Sequence, residues 1–257
     1  MEEKQYHIAL TKEMTEGARY VIMPGDPGRV KNIASYFENS RKLTVNREYE
    51  SYLGYIHGVP VLSVSHGIGG PSTSIAIEEL HHIGVDTMIR IGTCGSMQMD
   101  VRSGDVIVVN GAIRMEGTTK EYMPIEFPAV ANFEVLTELA KAAEDVKARY
   151  HVGIVECKDS FYGQHSPESM PVGYELLNKW QAWIRGGTLA SEMESSTLFT
   201  VASVRGIRAG AVMHCVWNQE RKAAGIDDEE NHDTDLAVRV AVRAMERLIE
   251  KDMACKQ

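Results

Sequence analysis

No run of apolar residues in this sequence approaches the roughly 20 needed to cross a bilayer. The first residues, Met1 to Gln5, have neither the basic nor the apolar segment of a secretory leader. Cysteine is scarce. Cys94, Cys157, Cys215 and Cys255 lie far apart and form no C-x-x-C pair. That spacing excludes a disulfide framework and reads as free thiols in a reducing, cytoplasmic setting. Positive charge is also in deficit: 27 Lys and Arg stand against 36 Asp and Glu, a net charge of −9. Nucleic acid and anionic membranes are therefore excluded as main partners. There is no Pro/Ser-rich linker, low-complexity tract or internal repeat, so residues 1–257 are read as a single domain. What the chain does have is an apolar fraction of 44%, ample for a buried core. The runs 227–230 and 251–257 read as solvated surface and a frayed tail.

Strand-like windows fall at 18–23, 43–45, 51–57, 60–66, 86–92, 104–113, 151–157, 187–191 and 207–216. Helical windows fall at 27–37, 71–83, 131–148, 173–183, 193–205 and 232–250. This alternation predicts an α/β fold with a central mixed β-sheet flanked by helices. The last helix is the clearest, with Leu236, Val240, Ala244, Leu248 and Ile249 on one stripe and Asp233 and Asp235 in its first turn. Segment 158–172, carrying Gly163, Pro167 and Pro171, reads as a loop mounted on the sheet. His81 and His82 are neighbours on a helix and point apart, so they cannot chelate one ion.

Chemistry concentrates at strand exits. Met23-Pro24-Gly25-Asp26-Pro27-Gly28-Arg29-Val30 reads as a strand end, a glycine-lined turn and a helix start with Asp26 as N-cap and Pro27 at the first position. Free N–H groups and a helix dipole suit an anion there, although an ordinary turn that happens to carry Arg29 fits the local pattern equally. A second strand ends in Arg90-Ile91-Gly92-Thr93-Cys94-Gly95, and a third segment brings Arg47 beside Glu48. On so acidic a chain, Arg29, Arg47 and Arg90 must meet to bind an oxyanion. Cys94 inside that loop reads as a small space-filler rather than a reactive thiol. Glu194, at a strand-to-helix junction, is favoured in the first turn electrostatically. It can also accept hydrogen bonds from paired sugar hydroxyls. The Gln164 amide offers one acceptor and two donors, but on local pattern alone a surface-loop glutamine beside a half-buried aromatic is the better reading.

Taken together, these segments resemble the nucleoside phosphorylase superfamily, and within it the uridine phosphorylases. The resemblance rests on PGDPGRV (24–30), NREYE (46–50), SHGIGGPSTSIAIEEL (65–80), RIGTCGSMQ (90–98), SGDVIV (103–108), EFPAVANFE (126–134), FYGQHSPE (161–168) and SEMESSTL (191–198), in family order over nearly the whole chain. It implies reversible phosphorolysis of uridine to uracil and ribose 1-phosphate, with phosphate as co-substrate and no organic cofactor. Phosphate would be held by Gly25, Arg29, Arg90, Thr93 and a neighbouring subunit's Arg47. The nucleoside would lie against His7 (from a neighbour), Thr93, Gly95, Phe161, Gln164, Met193 and Glu194, with Arg90, Glu194 and Gln164 carrying the catalysis. Glu48, Ile68 and Ser72 match a monovalent-cation site, K⁺ by its oxygen donors, at a dimer interface. The family precedent is a homohexamer built as a trimer of dimers.

The chain departs from the family pattern at Ser166 and Gln219, where better-known members carry arginines directed at uracil O4. His165, Arg221 or a water is left to read that atom. Asn218 replaces the aspartate that protonates purine N7 in related purine enzymes, and an amide is no general acid. That favours a pyrimidine over the rival purine or broad-specificity phosphorylase. A hydrolytic nucleosidase of the same fold has no use for three phosphate arginines. A non-catalytic nucleoside-binding module has no use for the complete set.

Overall fold

A computed structural model describes residues 4–255; Met1–Glu3, where the absence of a leader was read, and Lys256–Gln257 of the expected tail lie outside them. The first half of the chain runs β1 (Tyr20–Pro24), α1 (Val30–Ala34), β2 (Glu38–Asn46), β3 (Tyr49–Ile56), β4 (Val59–Val64), α2 (Gly70–His82), β5 (Thr87–Ser96) and β6 (Val106–Met115). It continues through β7 (Ala129–Val130), α3 (Phe133–Asp145), β8 (Tyr150–Lys158), α4 (Phe161–His165) and α5 (Gly173–Arg185). β9 (Ala190–Glu192), α6 (Ser195–Arg205), β10 (Arg208–Asn218), α7 (Gln219–Ala223) and α8 (Asp235–Ala254) complete it.

Among the described residues, ten strands form one mixed sheet, ordered β10-β6-β8-β9-β5-β1-β4-β3-β2 with β7 beside β6. β10 also pairs with β5, so five strands close on themselves while β1, β4, β3 and β2 extend as a wing. The α/β class with a central mixed sheet is as the alternation predicts. Alternate residues of β5 serve opposite faces. Met88 joins a core with Ala76, Ile77 and Leu80 of α2 and Leu198, Phe199 and Val201 of α6. Ile89 and Ile91 join the other core, with Val135 and Leu139 of α3 and Val238, Ala241, Met245 and Leu248 of α8. Arg90 shares the Met88 face by the period of two.

The sheet topology itself opens a site. Along one edge of β5, β1 pairs from Thr87 to Ile91 and stops at Pro24. β9 resumes on that edge only at Gly95 and Ser96, and it runs antiparallel. Gly92, Thr93 and Cys94 are left without a neighbour on that side, at the kind of switch point where α/β sheets bind ligands.

Several boundaries differ from the sequence pattern. The helix expected over 27–37 is a 3-10 turn, Pro27–Arg29, followed by the five-residue α1. The chain leaves the helix there to bury Phe37 over Gly54, where a Cβ would lie 2.6 Å from that of Phe37. β2 begins far earlier than residue 43; it is a largely exposed wing strand whose polar residues carry no apolar alternation. The loop expected at 158–172 contains α4, capped by Ser160 Oγ on the Gly163 N–H at 3.0 Å. Asp233 precedes α8 and accepts from the Asp235 N–H at 3.0 Å rather than lying in its first turn. The expected frayed tail is helical to Ala254, because Asp252 accepts from Arg208 Nη1 at 3.0 Å and Tyr20 Oη at 2.7 Å. Nor is 227–230 wholly solvated: Asp228 is partly buried, 3.4 Å from Arg221.

Candidate active site

A cavity of about 890 Å³ opens at the gap beside β5. Its floor is Arg90, Gly92, Thr93, Cys94 and Gly95. One wall is the β1 turn with Gly25, Asp26 and Arg29, and another is the β9–α6 junction with Ser191, Glu192, Met193 and Glu194. Lys158, Phe161, Gln164, His165 and Trp217 close the far end, and Glu48, Ile68, Glu230 and His232 stand at its rim.

The arginine end is built by short-range chemistry. The Asp26 carboxylate accepts from the Gly28 N–H at 2.8 Å and fixes the turn as a cap should. Arg29 follows it into the cavity. Burial and the nearby charge of Arg90 both hold its guanidinium below the usual arginine range. Arg90 itself is buried, with Nη2 at 2.5 Å from Glu194 Oε2 and 3.1 Å from Glu192 Oε2. Burial works against its charge, and the two carboxylates outweigh it.

Glu192 has a further task. Its carboxylate accepts from the N–H groups of Glu194 and Ser195 at 3.0 Å and so caps α6. Glu194 therefore lies just before the helix, not inside its first turn as the sequence pattern suggested. Its Oε1 accepts from the Gly69 N–H at 2.6 Å, which ties the start of α2 to the same carboxylate. Burial pushes its carboxyl above the usual range, although Arg90 pulls it down. Each oxygen keeps a lone pair for a sugar hydroxyl.

At the far end, the Gln164 amide oxygen lies 2.8 Å from Ser191 Oγ, whose single proton is also claimed by the Glu156 carboxylate, and its nitrogen donates to Gln219 Oε1 at 3.2 Å. Lys158 donates to Ser191 Oγ from the other side. The ring of Phe161 is 4.2 Å from that of His165, which is 5.5 Å from Trp217. Burial and Lys158 lower the His165 pKa, so the ring stands neutral at pH 7.

Gly25, Arg29, Arg90, Thr93, Gly95, Phe161, Gln164, Met193 and Glu194 thus surround one cavity. Arg47 and His7 do not line it. Arg47 is exposed on the turn between β2 and β3, and His7 is held by Glu79, with Nδ1 2.7 Å from Oε1. Ser72 lies behind the rim and donates to Glu48 Oε1 at 2.6 Å. Arg221 is corrected as a reader of the base, since it does not line the cavity; its Nη1 donates to Met99 O at 2.9 Å and its Nε lies 3.4 Å from Asp228. Asn218, read as no general acid, does not turn its amide to the cavity. Its amide nitrogen donates to Gln98 O and Val101 O, both at 2.7 Å, and its oxygen caps the Arg221 N–H, so it faces backbone rather than ligand. The Cys94 thiol is pushed well above its ordinary range by its contact with Cys215 and by burial, as befits a space-filler.

Sequence reasoning missed Lys158, Glu192, Trp217 and His66. A lone lysine at the carboxyl end of a buried strand was the available signal for Lys158. His66 sat unremarked inside the SHGIGG segment. Among the described residues, no helix is long and apolar enough to cross a membrane, and no group of three or more His, Cys, Asp and Glu could hold a metal ion.

Two arginines at one end of a pocket, a carboxylate in the middle and an amide at the other end are the groups that a nucleoside-cleaving site calls for. The profile of the phosphorylase superfamily matches residues 19–251, and the chain belongs to that family. It is 53% identical over 248 residues to the uridine phosphorylase of Treponema pallidum, covering 96% of this chain and 95% of that one. It is 39% identical to the uridine phosphorylase of Escherichia coli over 95% of this chain and 98% of the relative. The guanosine phosphorylase of Halorubrum lacusprofundi is 37% identical over 95% of this chain and 99% of its own length.

Proposed function

We propose that the protein catalyses the reversible phosphorolysis of uridine, a pentosyl transfer that yields uracil and ribose 1-phosphate. The observation that carries this reading is the polarity of the cavity, with Arg29 and Arg90 at one end, Glu194 between, and Gln164 with Lys158 at the other. Phosphate sits on Gly25, Arg29, Arg90 and Thr93. Glu194 and Met193 hold the ribose beside it, and Phe161 and Gly95 flank the base. A phosphate oxygen attacks C1′ as the C1′–N1 bond breaks, and the bonding pair leaves on the base. Positive charge on the sugar is met by phosphate. Negative charge on uracil is met by the Gln164 N–H and the Lys158 ammonium, electrostatics that act on the transition state more than on the ground state. The base then takes up a proton and leaves as uracil. No organic cofactor enters.

The oligomer completes the site. Arg47 and His7 of one copy serve a neighbour, in a homohexamer arranged as a trimer of dimers. Glu48, Ser72 and the Ile68 carbonyl offer hard oxygen donors; the Glu48–Ser72 contact brings two of them together, as a monovalent ion such as K⁺ requires. Four free cysteines support a cytoplasmic setting.

A nucleoside panel assayed with and without phosphate tests the reading. Uridine cleavage should require phosphate. Arg90→Ala should lose a charge-assisted contact worth about 1.5–3 kcal/mol in binding, and more in the transition state. Nucleoside cleavage that proceeds unchanged without phosphate would establish a hydrolase instead. A purine nucleoside is the second reading, favoured by the similarity to the guanosine phosphorylase. Inosine turnover comparable to that of uridine would establish it.

A further inference from the structure

Arginine carries five N–H groups and no acceptor. In Arg90, Nε donates to Glu192 Oε2 at 3.3 Å, and the two protons of Nη2 go to Glu192 Oε2 and Glu194 Oε2. Nη1 gives one proton to His66 Nε2 at 2.9 Å. Four of the five are used, which leaves one N–H, on Nη1.

The partner of that atom is equally constrained. Because Arg90 cannot accept, His66 Nε2 must be the bare nitrogen and the ring proton must sit on Nδ1. Nδ1 lies 3.0 Å from Thr73 Oγ1 on α2, which accepts it. His66 is completely buried. Burial and the charge of Arg90 hold its pKa well below the usual histidine range, so the ring stays neutral and the bond persists. A Cβ on Gly25 would lie 3.5 Å from His66 Cε1 and 4.0 Å from Arg90 Nη1. The imidazole and the unspent N–H therefore stand together against the turn that carries Arg29.

We propose that His66 is a positioning residue for phosphate: by accepting one Nη1 proton of Arg90 it aims the other at the oxyanion, with Thr73 fixing the tautomer. The inference rests on the phosphate-binding reading of Arg29 and Arg90. The carboxylates of Glu192 and Glu194 hold one side of the guanidinium, and His66 holds the other. Without it, Nη1 keeps two buried protons, and the fork is drawn toward the carboxylates and away from the phosphate.

The test compares His66→Phe, which removes the acceptor but keeps a planar ring, with His66→Gln, whose amide oxygen reaches the place of Nε2. In His66→Phe the phosphate KM should rise roughly tenfold to a hundredfold, while the uridine KM stays within about twofold of the parent protein. His66→Gln should recover most of the loss. A phosphate KM unchanged in His66→Phe would overturn the proposal. So would a parallel rise in both KM values, or a glutamine no better than phenylalanine. Should His66→Phe show no cooperative thermal transition, the near-isosteric Thr73→Val decides. It should raise the phosphate KM in the same direction by a smaller factor, with Thr73→Ser restoring it, and an unchanged value overturns the proposal. Phosphate-independent cleavage by the parent protein would instead overturn the phosphorylase reading, and this inference with it.

Discussion

Gln164 reaches the cavity with part of its hydrogen-bonding capacity already engaged. Ser191 Oγ, its one proton shared between Glu156 and Gln164, stands against the amide oxygen, and Gln219 takes one proton of the nitrogen. One lone pair and one N–H remain, a donor and an acceptor side by side that suit N3–H and a carbonyl of uracil. Cytosine offers no N3–H, and a buried amide left unpaired costs about 1–3 kcal/mol. Uridine should therefore exceed cytidine in kcat/KM by one to two orders of magnitude, roughly 1.4–2.8 kcal/mol. Gln164→Ala should erode that ratio more than it weakens phosphate binding. Lys158 acts on charge rather than pattern. Lys158→Met should depress kcat more than it raises the uridine KM, because the negative charge it faces develops only as the bond breaks. Equal kcat in Lys158→Met and the parent protein would place the lysine outside the chemistry.

At the scale of elements, the site depends on where β1 ends and β9 begins along β5, and on how tightly β10 is held behind them. Gly210 of β10 faces α3 so closely that an added Cβ would lie 2.5 Å from Val135 Cγ1 and 2.9 Å from Leu139 Cδ1. Gly210→Ala should therefore overpack that seam and destabilise the fold by about 1–3 kcal/mol, read as a lower denaturant midpoint at constant slope. The same contrast explains what the sequence made legible. Apolar periodicity marked β5, β6, β10, α2 and α8 because each buries a face, and Asp26, Pro27 and the glycines marked the β1 turn because special backbone needs special residues. β2 was largely invisible, since an exposed edge strand has no buried face to encode. The bonds that place Arg90 were invisible for another reason. Arg90, His66 and the Glu192–Glu194 pair come from three separate segments, and no local pattern states that they meet. Lys158 carries no pattern of its own, and only the folded chain sets it beside Ser191 and His165.

For the whole molecule, the incomplete rim of the cavity points outward. Glu48 and Ile68 stand at the mouth, and Arg47, one residue away, is exposed on its turn with φ +54°. Ile68 is 78% exposed, Val45 56% and Tyr6 75%, a group of apolar side chains on the same wing as that turn or on the segment packed against it. Asn46 Nδ2 donates to His7 O at 2.7 Å, which ties the turn to the His7 segment. A second copy docked on this wing through an isologous contact would carry its own Arg47 and His7 to the first copy's cavity, and receive the same in return. Mixing tests this directly. Arg47→Ala and Glu194→Ala, each inactive alone, should regain part of the activity when their subunits exchange, because some cavities then combine an intact Glu194 with a neighbour's intact Arg47. Subunit exchange is verified by mass-tagged chains in the mixed assembly. Mixed assemblies that remain as inactive as either parent would assign Arg47 to its own subunit's site or remove it from the site entirely.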